Sequence, residues 1–271
     1  MASRRIQTQT QCASYSRILI GELNGNKIHR PTEQVYSAYT KEDFLVWKTL
    51  YQRQIELLQN SASSDFLNAL SVVGFSSERI PDFNEIESAL KPLTGWSLTT
   101  VPNISEQKDF FSFLSQKKFT ATCWLRKMEE LDYLEEPDMF HDVFGHVPLL
   151  SNKHYTDFFE AISHIALEYI DNPKAIELLG RIYWFTIEFG LIREAGILKI
   201  YGAGIMSSYG ETKNCLSDTT EKFDFDISHV FDTNFRTDIL QDKYFVIDSY
   251  EQLYSSIPEI RKQLKLRFST N

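Results

Sequence analysis

One carboxylate set in an apolar run constrains this chain more than any other feature. Within Ile182-Tyr183-Trp184-Phe185-Thr186-Ile187-Glu188-Phe189-Gly190, every neighbour of Glu188 within three positions is apolar, aromatic or glycine, Thr186 excepted. Such a segment packs on most of its sides, and a buried carboxylate costs several kcal/mol unless something pairs with it. A metal cation would supply that pairing. A salt bridge to Arg181 or Arg193 would do the same, and the segment alone leaves both readings open. Either demands a sizeable core, which 271 residues at 42% hydrophobic can build as one large domain or two small ones. No internal repeat and no Pro/Gly/Ser-rich linker divides the chain, so one domain is the economical reading.

Local patterns make that domain mainly α, with short strands (α+β). Thr40 is placed to cap a helix in which Phe44, Leu45, Trp47, Leu50, Tyr51, Ile55 and Leu58 recur at helical spacing. A second helix is expected over 64–73, stopping at Gly74, and a third over 84–90 before Pro92. Ser105 is the expected cap of a fourth, 106–116, with Phe110, Phe111 and Leu114 inward. Residues 119–125 read as a strand. Helices are expected at 153–170 and 174–190, the second with Asn172 as cap and Pro173 in first position. Strands follow at 198–201 and 244–247, then a basic helix over 249–267 interrupted at Pro258. Residues 1–39 are polar apart from Ile18-Leu19-Ile20 and read as a partly irregular N-terminal arm on a catalytic domain of 40–271.

Charge and cysteines narrow the setting. A net charge of −9 argues against a general nucleic-acid or anionic-membrane binder. Cys12, Cys123 and Cys215 are odd in number and far apart, which disfavours a disulfide framework or zinc ribbon and suits a reducing compartment. The first residues lack the apolar stretch of a secretory signal, and no apolar run is long enough to span a membrane, so a cytoplasmic protein is expected. Aromatic residues make up 14% of the chain, enough for a bulky core, an aromatic-lined pocket, or both.

His141 and His146 lie in Glu136-Pro137-Asp138-Met139-Phe140-His141-Asp142-Val143-Phe144-Gly145-His146-Val147-Pro148. Five residues apart on a regular α-helix they would diverge by about 140°. They would meet one metal only if Gly145 lets the backbone bend or the helix ends there; otherwise they are structural histidines. Two imidazoles and a carboxylate make the facial triad of non-haem Fe(II) oxygenases, and zinc hydrolases use the same set. Ligand types alone do not choose.

The context of these residues does. The segments P-D-x-F-H-D-x-F-G-H-V-P, I-Y-W-F-T-I-E-F-G and Y-G-A-G-I-M-S-S-Y-G-E, in this order, resemble the catalytic domain of the pterin-dependent aromatic amino acid hydroxylases, above all the short bacterial phenylalanine 4-monooxygenases. The likeness is strongest from about Arg126 to Glu211. It implies that His141, His146 and Glu188 hold Fe(II), and that the substrate is met by Arg126, Asp138, Trp184, Ser207 and Ser208. Arg126 would clamp the substrate carboxylate, Asp138 would orient that arginine, and Trp184 would wall the amino-acid pocket. The serines would hold an iron-bound histidine and the substrate end. Phe110, Asp142 and Tyr183 fall where the family meets its tetrahydropterin, tetrahydrobiopterin or a relative. Asn103 stands where members usually carry glycine in the pterin loop, and Leu134 where animal members have threonine.

The resemblance further implies hydroxylation of L-phenylalanine to L-tyrosine with O2 and a reduced pterin, in a monomer or weak homodimer without the regulatory and tetramerisation segments of animal members. Tryptophan or tyrosine hydroxylation is the nearest alternative, because pocket shape decides. A zinc hydrolase with the same His2Glu set would need a general base, for which Asp142 is the obvious candidate.

Overall fold

Thr40 opens the first long helix through a capping box: its side chain accepts from the Asp43 N–H, and the Asp43 carboxylate accepts from the Thr40 N–H at 2.7 Å. That helix, α1, is Lys41–Leu58. The structure is a computed structural model describing residues 30–132, 134 and 136–268. Most of the expected arm, Ile18-Leu19-Ile20 and Cys12 included, lies outside the described residues. Helix α2 (Ser64–Val72) starts on a Ser63 cap and ends where Gly74 adopts a φ of +70°. Helix α3 (Phe83–Leu90) starts on Asp82.

Strands β1 (Ser97–Thr100) and β2 (Lys118–Ala121) pair in parallel, Leu98 beside Phe119, across the connecting helix α4 (Gln107–Leu114). Two expectations change here. Ser105 is not the cap, since that position falls on Glu106, whose side chain makes no capping bond. The strand ends at Ala121 rather than 125, because pairing stops where β1 leaves the ladder.

A π-helical segment, Phe140–His146, comes next, followed by α5 (Lys153–Glu168) and α6 (Pro173–Tyr183). Asn172 caps α6 and Pro173 opens it, as expected, but the helix does not run on regularly to 190. From Trp184 to Glu188 it widens into a second π-turn, in which the Phe189 N–H reaches the Trp184 carbonyl, five residues back, at 2.8 Å.

A four-stranded sheet follows in the order β4-β3-β6-β5, made of β3 (Leu191–Glu194), β4 (Ile197–Ile200), β5 (Glu221–Asp224) and β6 (Lys243–Ile247). β3 and β4 are antiparallel; β6 runs parallel to both β3 and β5. Short helices α7 (Ala203–Met206), α8 (Tyr209–Asn214) and α9 (Ile227–Asp232) join the strands. The expected basic helix is two: α10 (Tyr250–Ser255) and α11 (Ile257–Phe268). The break falls at Ser256, and Pro258 sits in the first turn of α11, where its missing N–H costs no helical bond.

One hydrophobic core runs from Val46 to Leu264 and encloses both π segments. Aromatic packing fixes the first: Phe140 and Phe144 stack at 4.7 Å, meeting Trp47 and Tyr51 of α1 and Phe66 of α2 edge-on. Among the described residues no helix is long and apolar enough to cross a membrane.

Candidate metal centre and adjoining pocket

The first π segment resolves the histidine spacing. In an i→i+5 bonded turn, residues five apart lie one above the other. His141 and His146 therefore share a face of the π-turn, which ends at His146 as one of the two expected routes allowed. Gly145 has a different role: a Cβ there would sit 2.9 Å from the Ala203 carbonyl oxygen, so only glycine admits α7 at this distance. The two Nε2 atoms lie 3.2 Å apart. Glu188, from the second π-turn, brings Oε1 to 3.2 Å from His146 Nε2 and Oε2 to 3.8 Å from His141 Nε2. One ligand atom from each residue falls within 4.8 Å of the others.

Glu188 has no exposed surface, and among the described residues neither of its oxygens accepts a hydrogen bond. The salt-bridge reading fails: Arg181 pairs with Glu177 and donates to the Phe231 carbonyl, while Arg193 pairs with Asp224 and Asp248. A buried, unpaired carboxylate facing two imidazole nitrogens fits a divalent cation.

The surrounding bonds prepare the ligands. The Ser207 hydroxyl donates to the Ala203 carbonyl at 2.9 Å, so toward His141 Nδ1, 2.7 Å away, it acts as acceptor. That places the imidazole proton on Nδ1 and leaves the Nε2 lone pair for a metal. Burial, then His146 and Arg126, hold His141 well below the usual imidazole range. His146 is covered by the Phe119 ring at 4.9 Å, and its Nδ1 finds no partner among the described residues.

Arg126 and Asp138 form a buried two-pronged pair: Nε to Oδ2 at 2.9 Å and Nη2 to Oδ1 at 2.8 Å. Asp138 also accepts from the Arg126 N–H and, at 3.2 Å, from the His141 N–H. Orienting the arginine and capping the ligand segment are thus done by one carboxylate. Ser208 caps α8, accepting from the Glu211 N–H at 3.3 Å. Trp184 is fully buried between Phe235, stacked at 4.4 Å, and Phe189 at 4.5 Å, and its indole donates to Gln241 Oε1.

A pocket opens beside His146 at the carboxyl ends of β1 and β2, the usual place for ligands of parallel strands. Phe110, Asp142 and Tyr183 line it, with Asn103, Ser105 and Phe119. Arg126, Asp138, Trp184, Ser207 and Ser208 do not, so the expected pterin and substrate groups fall into two separate sets around the histidines. Asp142 Oδ2 accepts from both the N–H and the hydroxyl of Thr122; burial nonetheless pushes its pKa up to about 7. Burial, then the Glu188 charge, raises the Tyr183 phenol well above its usual range. Thr122, Phe119 and Gln241 escaped the sequence reading. Thr122 and Phe119 lay inside the expected strand, where alternation alone marks no partner, and Gln241 reaches Trp184 across 57 residues with no local signal.

Residues 20–271 match the biopterin-dependent aromatic amino acid hydroxylase family. The chain belongs to that family. Among its relatives, the phenylalanine-4-hydroxylase of Ralstonia nicotianae is 43% identical over 225 residues, 83% of this chain and 72% of that one. The phenylalanine-4-hydroxylase of Vibrio cholerae is 36% identical over 250 residues, covering 88% of this chain and 86% of its own. The structure of Chromobacterium violaceum phenylalanine hydroxylase with bound iron(III) and 7,8-dihydrobiopterin superposes with a TM-score of 0.81 at 39% identity, over 92% of this chain and 91% of that one. The three clustered residues, His141, His146 and Glu188, lie within the span this hydroxylase shares with its family.

Proposed function

We propose that this hydroxylase converts L-phenylalanine to L-tyrosine with O2, using iron held by His141, His146 and Glu188 and a tetrahydropterin in the pocket beside them. The observation that carries the reading is the buried Glu188 carboxylate, unpartnered among the described residues, facing two Nε2 atoms at the edge of a pocket lined by Phe110 and Tyr183. The names of the relatives support phenylalanine over tryptophan or tyrosine as substrate. When bound, iron and reduced pterin supply the activation of O2 and the electrons for hydroxylation.

The chain's own groups bind and orient. Ser207 keeps the proton on His141 Nδ1, so that Nε2 ligates. Asp138 holds one edge of the Arg126 guanidinium; Nη1, with only a 3.5 Å contact to the Leu131 carbonyl, remains to take the substrate carboxylate. Trp184, both faces covered by Phe235 and Phe189 and its indole held by Gln241, does not itself wall the substrate site but anchors the second π-turn that carries Glu188, and Ser208 keeps the adjoining turn in place as a helix cap. Phe110 offers its ring for stacking on the pterin, with Tyr183 edge-on to it at 5.7 Å and Asp142 in the same lining. Aromatic walls on both sides of the metal exclude water from the reacting atoms.

Against the hydrolase reading stand the names of the relatives, which are hydroxylases. In this reading residues 40–271 are the catalytic domain and 1–39 an arm upon it; bonds from Tyr36 to the Ile80 carbonyl and from Tyr39 to the Cys123 carbonyl support that docking. The enzyme works as a monomer or weak homodimer in the cytoplasm, where its buried free thiols Cys123 and Cys215 stay reduced. Purified protein supplied with Fe(II), a reduced pterin and each aromatic amino acid should form tyrosine from phenylalanine. Iron-loaded protein that hydroxylates none of them overturns the proposal, and faster turnover of tryptophan moves the assignment within the family.

A further inference from the structure

The loop joining β1 to α4 supplies one wall of the pocket through Val101, Asn103, Ile104 and Ser105. It leaves the β-ladder at Val101, whose N–H donates to the Ala121 carbonyl at 3.0 Å. Beyond that point, among the described residues, a single hydrogen bond holds residues 102–105 to the rest of the protein: the Trp124 indole donates to the Pro102 carbonyl at 3.1 Å. Trp124 is buried and does not itself line the pocket. Its backbone is fixed, since its carbonyl accepts from the Met139 N–H at 2.9 Å, directly before the π segment that carries His141 and His146. The Arg30 guanidinium lies over the indole ring, 3.6 Å from its centroid, and restrains the ring from turning. One side chain therefore reaches from the histidine segment to the loop wall of the pocket.

We propose that Trp124 is a positioning residue for the pterin: its indole N–H sets the place of the loop wall relative to the histidine segment, and with it the width of the pocket the cofactor enters. The inference rests on the pterin reading of that pocket. With the one tether cut, the loop samples wider conformations, and affinity falls by the fraction of time the binding-competent one is lost. Arg126, Asp138 and Ser207 stand outside this lining, so loosening the loop acts on the pterin and leaves phenylalanine and iron alone.

Binding of 7,8-dihydrobiopterin to the Fe(II)-loaded protein, measured by anaerobic calorimetry beside the KM for phenylalanine, tests this. Trp124→Phe keeps an aromatic ring under Arg30 and removes the N–H. It should raise the Kd for dihydrobiopterin about fivefold to tenfold, while iron affinity and the KM for phenylalanine stay within about twofold of wild type. Amide hydrogen exchange at residues 103–105 should quicken in the same variant. Should Trp124→Phe fold poorly, Arg30→Ala leaves the N–H in place but frees the ring to turn, and should raise the same Kd about threefold. Dihydrobiopterin bound as tightly as by wild type, in Trp124→Phe or, where that variant does not fold, in Arg30→Ala, would overturn the role of Trp124. A loss shared equally by pterin, phenylalanine and iron would overturn it too, because it would mark a residue that only supports the fold. Failure of the iron-loaded wild type to bind dihydrobiopterin would instead remove the pterin reading of the pocket.

Discussion

Glu188 stands apart from the other buried carboxylates because neither of its oxygens accepts a hydrogen bond among the described residues. In the metal-free protein that carboxylate is a liability; with a cation bound it is a ligand. Glu188→Gln removes the charge at nearly constant shape. The metal-free variant should therefore melt at or above the wild-type midpoint, whereas the rise in midpoint that Fe(II) gives the wild type, worth about 2.7 kcal/mol at a hundredfold excess over Kd, should vanish. Thermal melts with and without Fe(II) under anaerobic conditions check both halves; a variant still stabilised by iron would take Glu188 out of the ligand set. Arg126 makes the complementary case. Its fork spans both Asp138 oxygens, a geometry lysine does not reproduce. Arg126→Lys should raise the KM for phenylalanine about tenfold or more while leaving the Kd for dihydropterin near wild type, read from steady-state kinetics beside calorimetry. An unchanged KM would unseat the clamp.

Among the elements, the two π segments matter most, since they bring together His141, His146 and Glu188, the candidate metal-binding residues, which a regular helix would misdirect. The first is braced from both sides: Phe140 and Phe144 lock into α1 and α2, and Gly145 lets α7 pack close behind. Gly145→Ala would drive a methyl group against the Ala203 carbonyl and push α7, with Ser207 just beyond it, away from His141. Stability should fall by about 1–3 kcal/mol and iron affinity with it, measured by denaturant unfolding and metal titration. Unchanged values for both would show that the close approach is not needed. Helix starts were legible from sequence because capping is local chemistry, as at Thr40 and Asn172. The π insertions were not, because the same residues make an acceptable α-turn and only tertiary packing of Phe140, Phe144 and Trp184 selects the wider one. Likewise the identities of His141, His146 and Glu188 were readable from motif and neighbourhood, whereas their convergence depended on backbone geometry that spacing alone argued against. Gln241 and Thr122 act through contacts distant in sequence and carried no pattern to read.

Across the whole molecule, another buried carboxylate ties the sheet to the second π-turn. Glu211 in α8 accepts from the Gln241 N–H at 2.9 Å and from the Tyr244 hydroxyl of β6 at 2.7 Å. Asn214 braces the same pair, donating to the Gln241 carbonyl and the Tyr244 hydroxyl. Gln241 in turn holds the Trp184 indole, so the link runs from α8 and β6 into the second π-turn. Burial pushes the Glu211 pKa up from 4.5 to about 7, against the pull of its hydrogen bonds from Tyr244, Gln241 and Asn214. The nearby Cys215 thiol, itself raised by burial and by Glu211, stays protonated through this range, with Lys222 as the neighbouring cation. A carboxyl whose pKa is higher folded than unfolded contributes stability that is complete below pH 4.5 and is lost as pH rises through about 7. Glu211→Gln has no such titration. Tyr244 can redirect its hydroxyl proton to the Gln241 carbonyl, 3.2 Å away, and accept from the new amide, so the variant keeps its bonds. Relative to wild type it should therefore gain stability between pH 5 and about pH 7, by up to a few kcal/mol, and level off by pH 8, in denaturant unfolding followed across that range. Unfolding profiles that stay parallel from pH 5 to pH 8 would mean that Glu211 does not change protonation on folding, and that this network holds Trp184 with a carboxylate charged throughout.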